Sequence, residues 1–275
     1  MRKPLITTLF MTLLGALLTA CATSPTGRSQ LMLISPESAI VESQKAYIST
    51  VDELGKENKL VNDPVLADRV SRITGRLVSV AIEQYPNTAD WQWSVAIIDD
   101  PKTVNAWCMA GGRMAVYTGL FEKLQLTDDE FAHIMGHEIS HALANHTAER
   151  MSRAMATSLG VVAVGVLSDK PLATMAGAGV AAKLALELPN SRTAEAEADQ
   201  LGMNIAVTAG YKPEAAVTLW QKMGAQSGGS QPPEFMSTHP SPANRETALG
   251  NMIPQARKLN PSGKKAPVHP IIIET

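Results

Sequence analysis

Two histidines four residues apart, with a glutamate directly after the first, constrain this chain more than any other feature. They are His137-Glu138-Ile139-Ser140-His141, inside the run FAHIMGHEISHALANH from Phe131 to His146. On a helix, residues four apart differ by only ~40° in azimuth and one turn in height, so both imidazoles can reach one ion at ~2.0 to 2.1 Å. Thr127-Asp128-Asp129-Glu130 supplies the helix start, a capping box with Thr127 as N-cap and Glu130 three residues on, and predicts a helix running to about Met155. Ligands on three successive turns would lie too far apart along the axis for tetrahedral geometry. His137 and His141 are therefore the expected ligands from this helix, and His133 and His146 are expected to be hydrogen-bonded scaffold. Glu138 can reach a water on the metal without ligating it, take its proton and pass that proton to a leaving amine. With a Lewis-acidic zinc ion at the histidines, the pattern points to peptide-bond hydrolysis.

A third ligand must come from elsewhere in the chain. The stretch SRTAEAEADQLG offers Glu195, Glu197 and Asp199. If it is helical, Glu195 and Asp199 share a face and Glu197 points largely away. Two carboxylates turned toward the histidine helix suggest one ligand and one supporting partner, with Asp199 able to accept the free ring N–H of a ligating histidine.

The rest of the 275 residues reads as a mainly α-helical α+β chain. It is 45% hydrophobic but only 4% aromatic, its apolar content carried by small and aliphatic residues and 13 methionines. Helical spacing recurs from Pro36 to about Lys59 and from Pro64 to Tyr85. WQWSVAIID, TVNAWCMA and GRMAVYTGLF read as short strands of a small sheet preceding the histidine helix. Further helices are expected from about Thr193 to Ala209, from Pro213 to Met223 and from Ser241 to Lys258, with a Gly/Ser/Pro linker before the last. Residues 36–258 are taken as one catalytic domain, and 259–275, with three prolines, as a loosely held tail. Two charge-poor stretches between Ala154 and Leu188 are each shorter than the ~20 residues a membrane span needs. They are expected to be packed small-residue helices. With 24 basic against 26 acidic residues, nothing marks the chain as an electrostatic binder of nucleic acid, and that class is set aside.

The N-terminus has the layout of an export signal: two basic residues, an apolar run from Leu5 to Ala20, then Cys21. Leu18-Thr19-Ala20-Cys21 resembles the lipobox of bacterial lipoproteins, which implies cleavage after residue 20, lipidation of Cys21 and a membrane anchor followed by a polar tether over 21–35. Ala22 rather than aspartate after the cysteine favours, by the same resemblance, the periplasmic face of the outer membrane. Only Cys108 then remains, and it is expected to be a buried thiol.

The histidine pattern followed about fifty residues later by S-R-x-x-E-x-E-A-D resembles the gluzincin metallopeptidases of the HtpX, BepA, LoiP and type-1 prenyl protease kind. The resemblance extends from about Val61 to Ala248. It implies a zincin-like fold, one zinc ion held by His137, His141 and Glu195, Glu138 as catalytic base and Asp199 as support. VNAWCMAGGRMAVYTGL resembles the family's segment bordering the active-site cleft, an edge strand in which Gly112, Arg113, Met114, Ala115 and Val116 would line a substrate backbone. STHPSPANR resembles a stretch whose histidine lies over the zinc, which makes His239 a gate, a fourth ligand or an oxyanion-side group and Arg245 a support. The many membrane spans of the prenyl protease kind are absent, and a short lipoprotein of the LoiP type is nearest in shape. The implied substrates are unfolded or misassembled cell-envelope proteins, with outer-membrane assembly machinery as a partner. A metal-containing chaperone with proteolysis gated off is the alternative.

Overall fold

The structure, a computed structural model, describes residues 21–167, 188–226, 233–239 and 244–274. The expected signal segment 1–20, part of the charge-poor stretch and most of the linker lie outside these residues. In chain order the elements are β1 (Cys21–Thr23), β2 (Ser29–Leu31), α1 (Pro36–Lys56), α2 (Pro64–Gln84), β3 (Ser94–Ile98), β4 (Ala106–Met109), β5 (Arg113–Tyr117), α3 (Thr118–Leu124), α4 (Asp128–Leu143), α5 (His146–Leu167), α6 (Leu188–Thr208), α7 (Glu214–Gln226), α8 (Glu234–Thr238), α9 (Arg245–Ala256) and β6 (Ile272–Glu274). The chain is mainly helical with a small mixed sheet, as expected. It divides into two compact units, one drawn from residues 1–39 and 145–189, the other from 40–144 and 190–275.

In the first unit, β1 and β2 form an antiparallel hairpin, with Cys21 opposite Leu31. The expected tether over 21–35 is therefore structured in its first half. Its anchor is charge: Arg28 donates to both oxygens of Glu149 on α5, at 2.8 and 2.7 Å, and Gln30 donates to the same carboxylate at 2.9 Å. The Ile34 N–H donates to Ser152 on the same helix. A polar sequence can be ordered without an apolar core when each buried polar atom meets a partner.

The second unit holds the sheet, in the order β4-β5-β3-β6, with β4 antiparallel to β5 and the other pairs parallel. All five residues of β3 are buried, which is why its sequence turns continuously apolar. The β4–β5 turn places Gly111 and Gly112 at φ of 86° and 82°, and the Trp93 ring lies where a Gly112 Cβ would stand. Two expectations change here. Residues 112–116 are not the edge, because β5 is paired on both sides; among the described residues β4 and β6 are the outer strands, and β4 packs against α4. The C-terminal residues are not a loose tail: His269 donates to the Gly75 carbonyl, and β6 extends the sheet beside β3. Three short prolines suggested a tail, but backbone pairing does not depend on side-chain pattern.

α2 turns Val70, Ile73, Leu77, Val78 and Ala81 inward, an i, i+3, i+4 face, and begins at Asp63, whose side chain accepts from the Val65 N–H. α4 begins at the predicted capping box, with both reciprocal bonds formed. It is buried nearly all round, with Phe131, Ile134, Met135 and Ile139 fully inside. The expected single helix to Met155 is two: α4 stops at Leu143, Asn145 adopts a left-handed φ of 54°, and α5 starts at His146. Asparagine is among the few residues that take this conformation cheaply, so it can end a helix that periodicity alone would continue.

Candidate metal centre

α4 brings its two histidines together as their spacing requires. The Nε2 atoms of His137 and His141 lie 3.0 Å apart, with the rings edge to face. α6 supplies Glu195, whose two carboxylate oxygens lie 3.2 Å from His137 Nε2 and 3.4 Å from His141 Nε2. The residue after α8, His239, places Nδ1 3.2 Å from His137 Nε2 and 3.2 Å from both oxygens of Glu195. These four ligand atoms all lie within 4.8 Å of one another, and His137, Glu195 and His239 are buried. A tetrahedral zinc with bonds of ~2.0 to 2.1 Å separates its ligands by roughly 3.3 Å, so the donor set fits the ion in both chemistry and spacing.

Without a cation such a cluster is electrostatically unbalanced. Burial alone would depress the His137 pKa, yet hydrogen bonds to Asp199 and Glu195 raise it to about 9. Burial opposes ionisation of Glu195, and the surrounding imidazoles outweigh it and hold its carboxyl below the usual range. A proton on His137 therefore does part of what a metal ion would do, and metal binding must displace it.

The supporting layer is built on α6 and α9. His137 Nδ1 lies 3.0 Å from Asp199 Oδ1, which leaves Nε2 turned toward the cluster. Arg245 donates to the same Asp199 oxygen at 2.5 Å, lies 3.6 Å from Glu195 and stacks 3.8 Å above the Trp220 ring. Burial works against Asp199 ionisation, but His137 and Arg245 together lower its pKa. Arg245 is 3% exposed. Its guanidinium is buried beside Asp199 and Glu195.

Glu138 is buried beside the ligands. Burial raises its pKa, only partly offset by His239 and His137. The backbone N–H of Cys108 on the edge strand hydrogen-bonds this carboxylate. Its Oε1 is 3.3 Å from His239 Nε2 and has no hydrogen-bond partner among the described residues. A buried carboxylate with a raised pKa is suited to exchange a proton.

The remaining expectations divide. His133 stays outside the cluster: it is buried, burial lowers its pKa, and its Nε2 meets the Lys212 carbonyl at 2.9 Å. His146 is buried at the start of α5 in the other unit and is likewise not in the cluster. Glu197 does not join the ligands, although it too is buried. Cys108 is buried, and burial raises its thiol pKa well above the ordinary value. Of residues 112–116, Arg113 lies over the Tyr47 ring and donates to the Ser94 hydroxyl. Spacing arguments passed over the Cys108 N–H, Trp220, and Gly136 and Gly202, where α4 and α6 touch. A glycine inside a helical pattern was the available signal for the last two.

Residues 64–253 match the model of peptidase family M48. The chain belongs to that family. The match includes every member of the metal cluster and its support. The chain is 31% identical over 245 residues to the mitochondrial metalloendopeptidase OMA1 of Bos taurus, covering 85% of this chain and 46% of that protein. It is 30% identical over 218 residues to the mitochondrial metalloendopeptidase OMA1 of Schizosaccharomyces pombe, 78% of this chain and 61% of that one. It is 29% identical over 218 residues to the beta-barrel assembly-enhancing protease of Escherichia coli, 76% and 43%. The chain thus spans about half the length of the curated relatives it matches.

Proposed function

We propose that this M48 member is a zinc-dependent endopeptidase acting on unfolded or misassembled cell-envelope proteins. The observation that carries the reading is the convergence of His137, His141 and Glu195 on one point with the buried carboxylate of Glu138 beside it. His137, His141 and Glu195 would hold the ion. Zinc bound there supplies a Lewis acid for the scissile carbonyl and acidifies a water molecule. Glu138, buried beside the ligands with a raised pKa, would accept a proton from water at its carboxylate and return it to the leaving amine nitrogen. Asp199, held by Arg245, keeps His137 in the ligating orientation. β4, the outer strand beside α4 among the described residues, is the strand on which a substrate backbone would lie, in place of residues 112–116.

The envelope role rests on the likeness to the beta-barrel assembly-enhancing protease and on the lipobox-like sequence before Cys21. In this reading Cys21 is lipidated, the protein is a short lipoprotein of the LoiP type on the periplasmic face of the outer membrane, and outer-membrane assembly machinery is a partner. A second reading, a chaperone-like factor with proteolysis gated off, is favoured by one observation: His239 occupies the fourth ligand position and lies 3.3 Å from Glu138.

Purified protein should carry about one zinc per chain, and Glu138→Gln should keep that zinc while cleavage of an unfolded protein falls by at least roughly a hundredfold. Undiminished cleavage would remove Glu138 from the mechanism. Under the gate reading, His239→Ala raises cleavage; unchanged or lower activity counts against it. Cys21→Ala should release the protein from membranes, and retention there would sink the anchor.

A further inference from the structure

α4 and α6 meet at Gly136 and Gly202 with no side chain between them. A Cβ added to Gly202 would stand 2.7 Å from the His137 backbone nitrogen and 2.9 Å from the Gly136 carbonyl carbon. A Cβ on Gly136 would stand 2.9 Å from the Gly202 carbonyl oxygen. Neither glycine has a positive φ, so neither is there for a turn. Both lie inside helices, where glycine is a poorer choice than any residue but proline. Their presence is explained by the close approach of the two backbones.

That approach falls at the metal centre. The backbone a Gly202 Cβ would strike belongs to His137 itself. Glu195 and Asp199 precede Gly202 by seven and three residues, two turns and one turn along the same helix face. α4 has little room to retreat, because it packs against α2, α7 and β4 as well. Ordinary van der Waals contact begins near 3.4 Å, so an alanine at 202 requires a displacement of roughly 0.7 Å at the crossing. Zinc sites hold their distances to about ±0.2 Å. The shift is larger than the tolerance.

We infer that Gly136 and Gly202 are positioning residues for the metal centre. Their side-chain-free contact sets the separation of α4 and α6, and so places the Glu195 carboxylate 3.2 and 3.4 Å from the two ligating nitrogens. This inference rests on the zinc reading above and deepens it.

The test uses the full chain with Gly202→Ala, Gly136→Ala and, as a control, Gly224→Ala, whose added Cβ on α7 would meet nothing within 4 Å among the described residues. Zinc affinity is measured by competition with a chelator, the visible spectrum is recorded after cobalt substitution, and the metal-free proteins are followed by circular dichroism and thermal unfolding. Gly202→Ala should fold yet bind zinc about ten- to a hundredfold more weakly, with altered cobalt bands, and Gly136→Ala should show the smaller shift of the same kind. Gly224→Ala should match the parent. Parental zinc affinity and cobalt spectrum in a folded Gly202→Ala protein would overturn the inference. So would failure of both crossing variants to fold, since the contact would then serve the fold as a whole. A parent that binds no zinc would instead sink the metallopeptidase reading, which separates the two failures.

Discussion

Glu149 and Glu195 are both buried glutamates ringed by basic side chains, yet they serve opposite ends. Glu149 is closed by permanent charge: Arg28 grips both oxygens, Gln30 adds a third bond, and Arg153 reaches it from the next turn of α5 at 3.0 Å. Burial raises its pKa, but these partners outweigh burial and bring it down to about 2. Glu195 is surrounded mainly by imidazoles, whose nitrogens face the same point as its own oxygens. Guanidinium groups are donors only, so they complete a carboxylate; an imidazole that gives up its second proton presents a lone pair to a cation. The identity of the surrounding base, more than burial, separates a structural carboxylate from a metal ligand.

The strongest way to break this contrast is to neutralise each glutamate in turn. Glu195→Gln should lower zinc affinity by more than about a hundredfold and abolish cleavage with it. Glu149→Gln should leave zinc content intact but destabilise the hairpin-bearing unit by roughly 3 kcal/mol, because Arg28 loses its partner. Chemical denaturation followed alongside metal analysis checks both. If both variants lose zinc, or neither does, the distinction is wrong.

The two regions should also titrate with opposite signs. The folded pKa of Glu149 is depressed, so its stabilisation is present above the ordinary value of 4.5 and is lost as pH falls toward about 2. The folded pKa of His137 is raised, so in the metal-free protein its stabilisation is full below 6.5 and is lost as pH rises through about 9. Denaturation midpoints across pH, with Glu149→Gln and His137→Ala as references, should each flatten one limb of the profile. Zinc affinity, in contrast, should rise across the same alkaline window because the His137 proton no longer competes.

Smaller effects sharpen the comparison further. Asp199→Asn keeps the shape of the support but weakens its charge, and should cost about ten- to a hundredfold in zinc affinity. Thr127→Ala removes one half of the capping box on α4 and should lower stability by about 1 kcal/mol, without touching zinc stoichiometry.

Much of the site was legible from local pattern. The capping box, the helical pairing of His137 with His141, and the shared face of Glu195 and Asp199 all follow from a period of 3.6 residues, and each is present in the structure. The strands at 94–98, 106–109 and 113–117 were likewise visible as short apolar runs between turns. The errors came where a neighbour in space decides the outcome. Residues 112–116 read as an edge because a strand's own sequence does not say what pairs on each side. Residues 259–275 read as a tail because parallel pairing of β6 with β3 uses backbone atoms alone. The run to Met155 read as one helix because a single left-handed asparagine leaves the hydrophobic period undisturbed.

The sequence by itself determined the chemistry on offer: two imidazoles on one helix face, a carboxylate beside them, and a carboxylate pair 54 and 58 residues beyond His141. It could do so because helix geometry is local and residues four apart have little choice about where they stand. Only the tertiary structure decided that these groups share one point, that His239 joins them, that Arg245 stands behind Asp199, and that α4 and α6 approach closely enough for it to happen. Those outcomes depend on contacts between distant segments, where a single Cβ added at Gly202 would change the distance between two helices, and no periodicity along the chain records that distance.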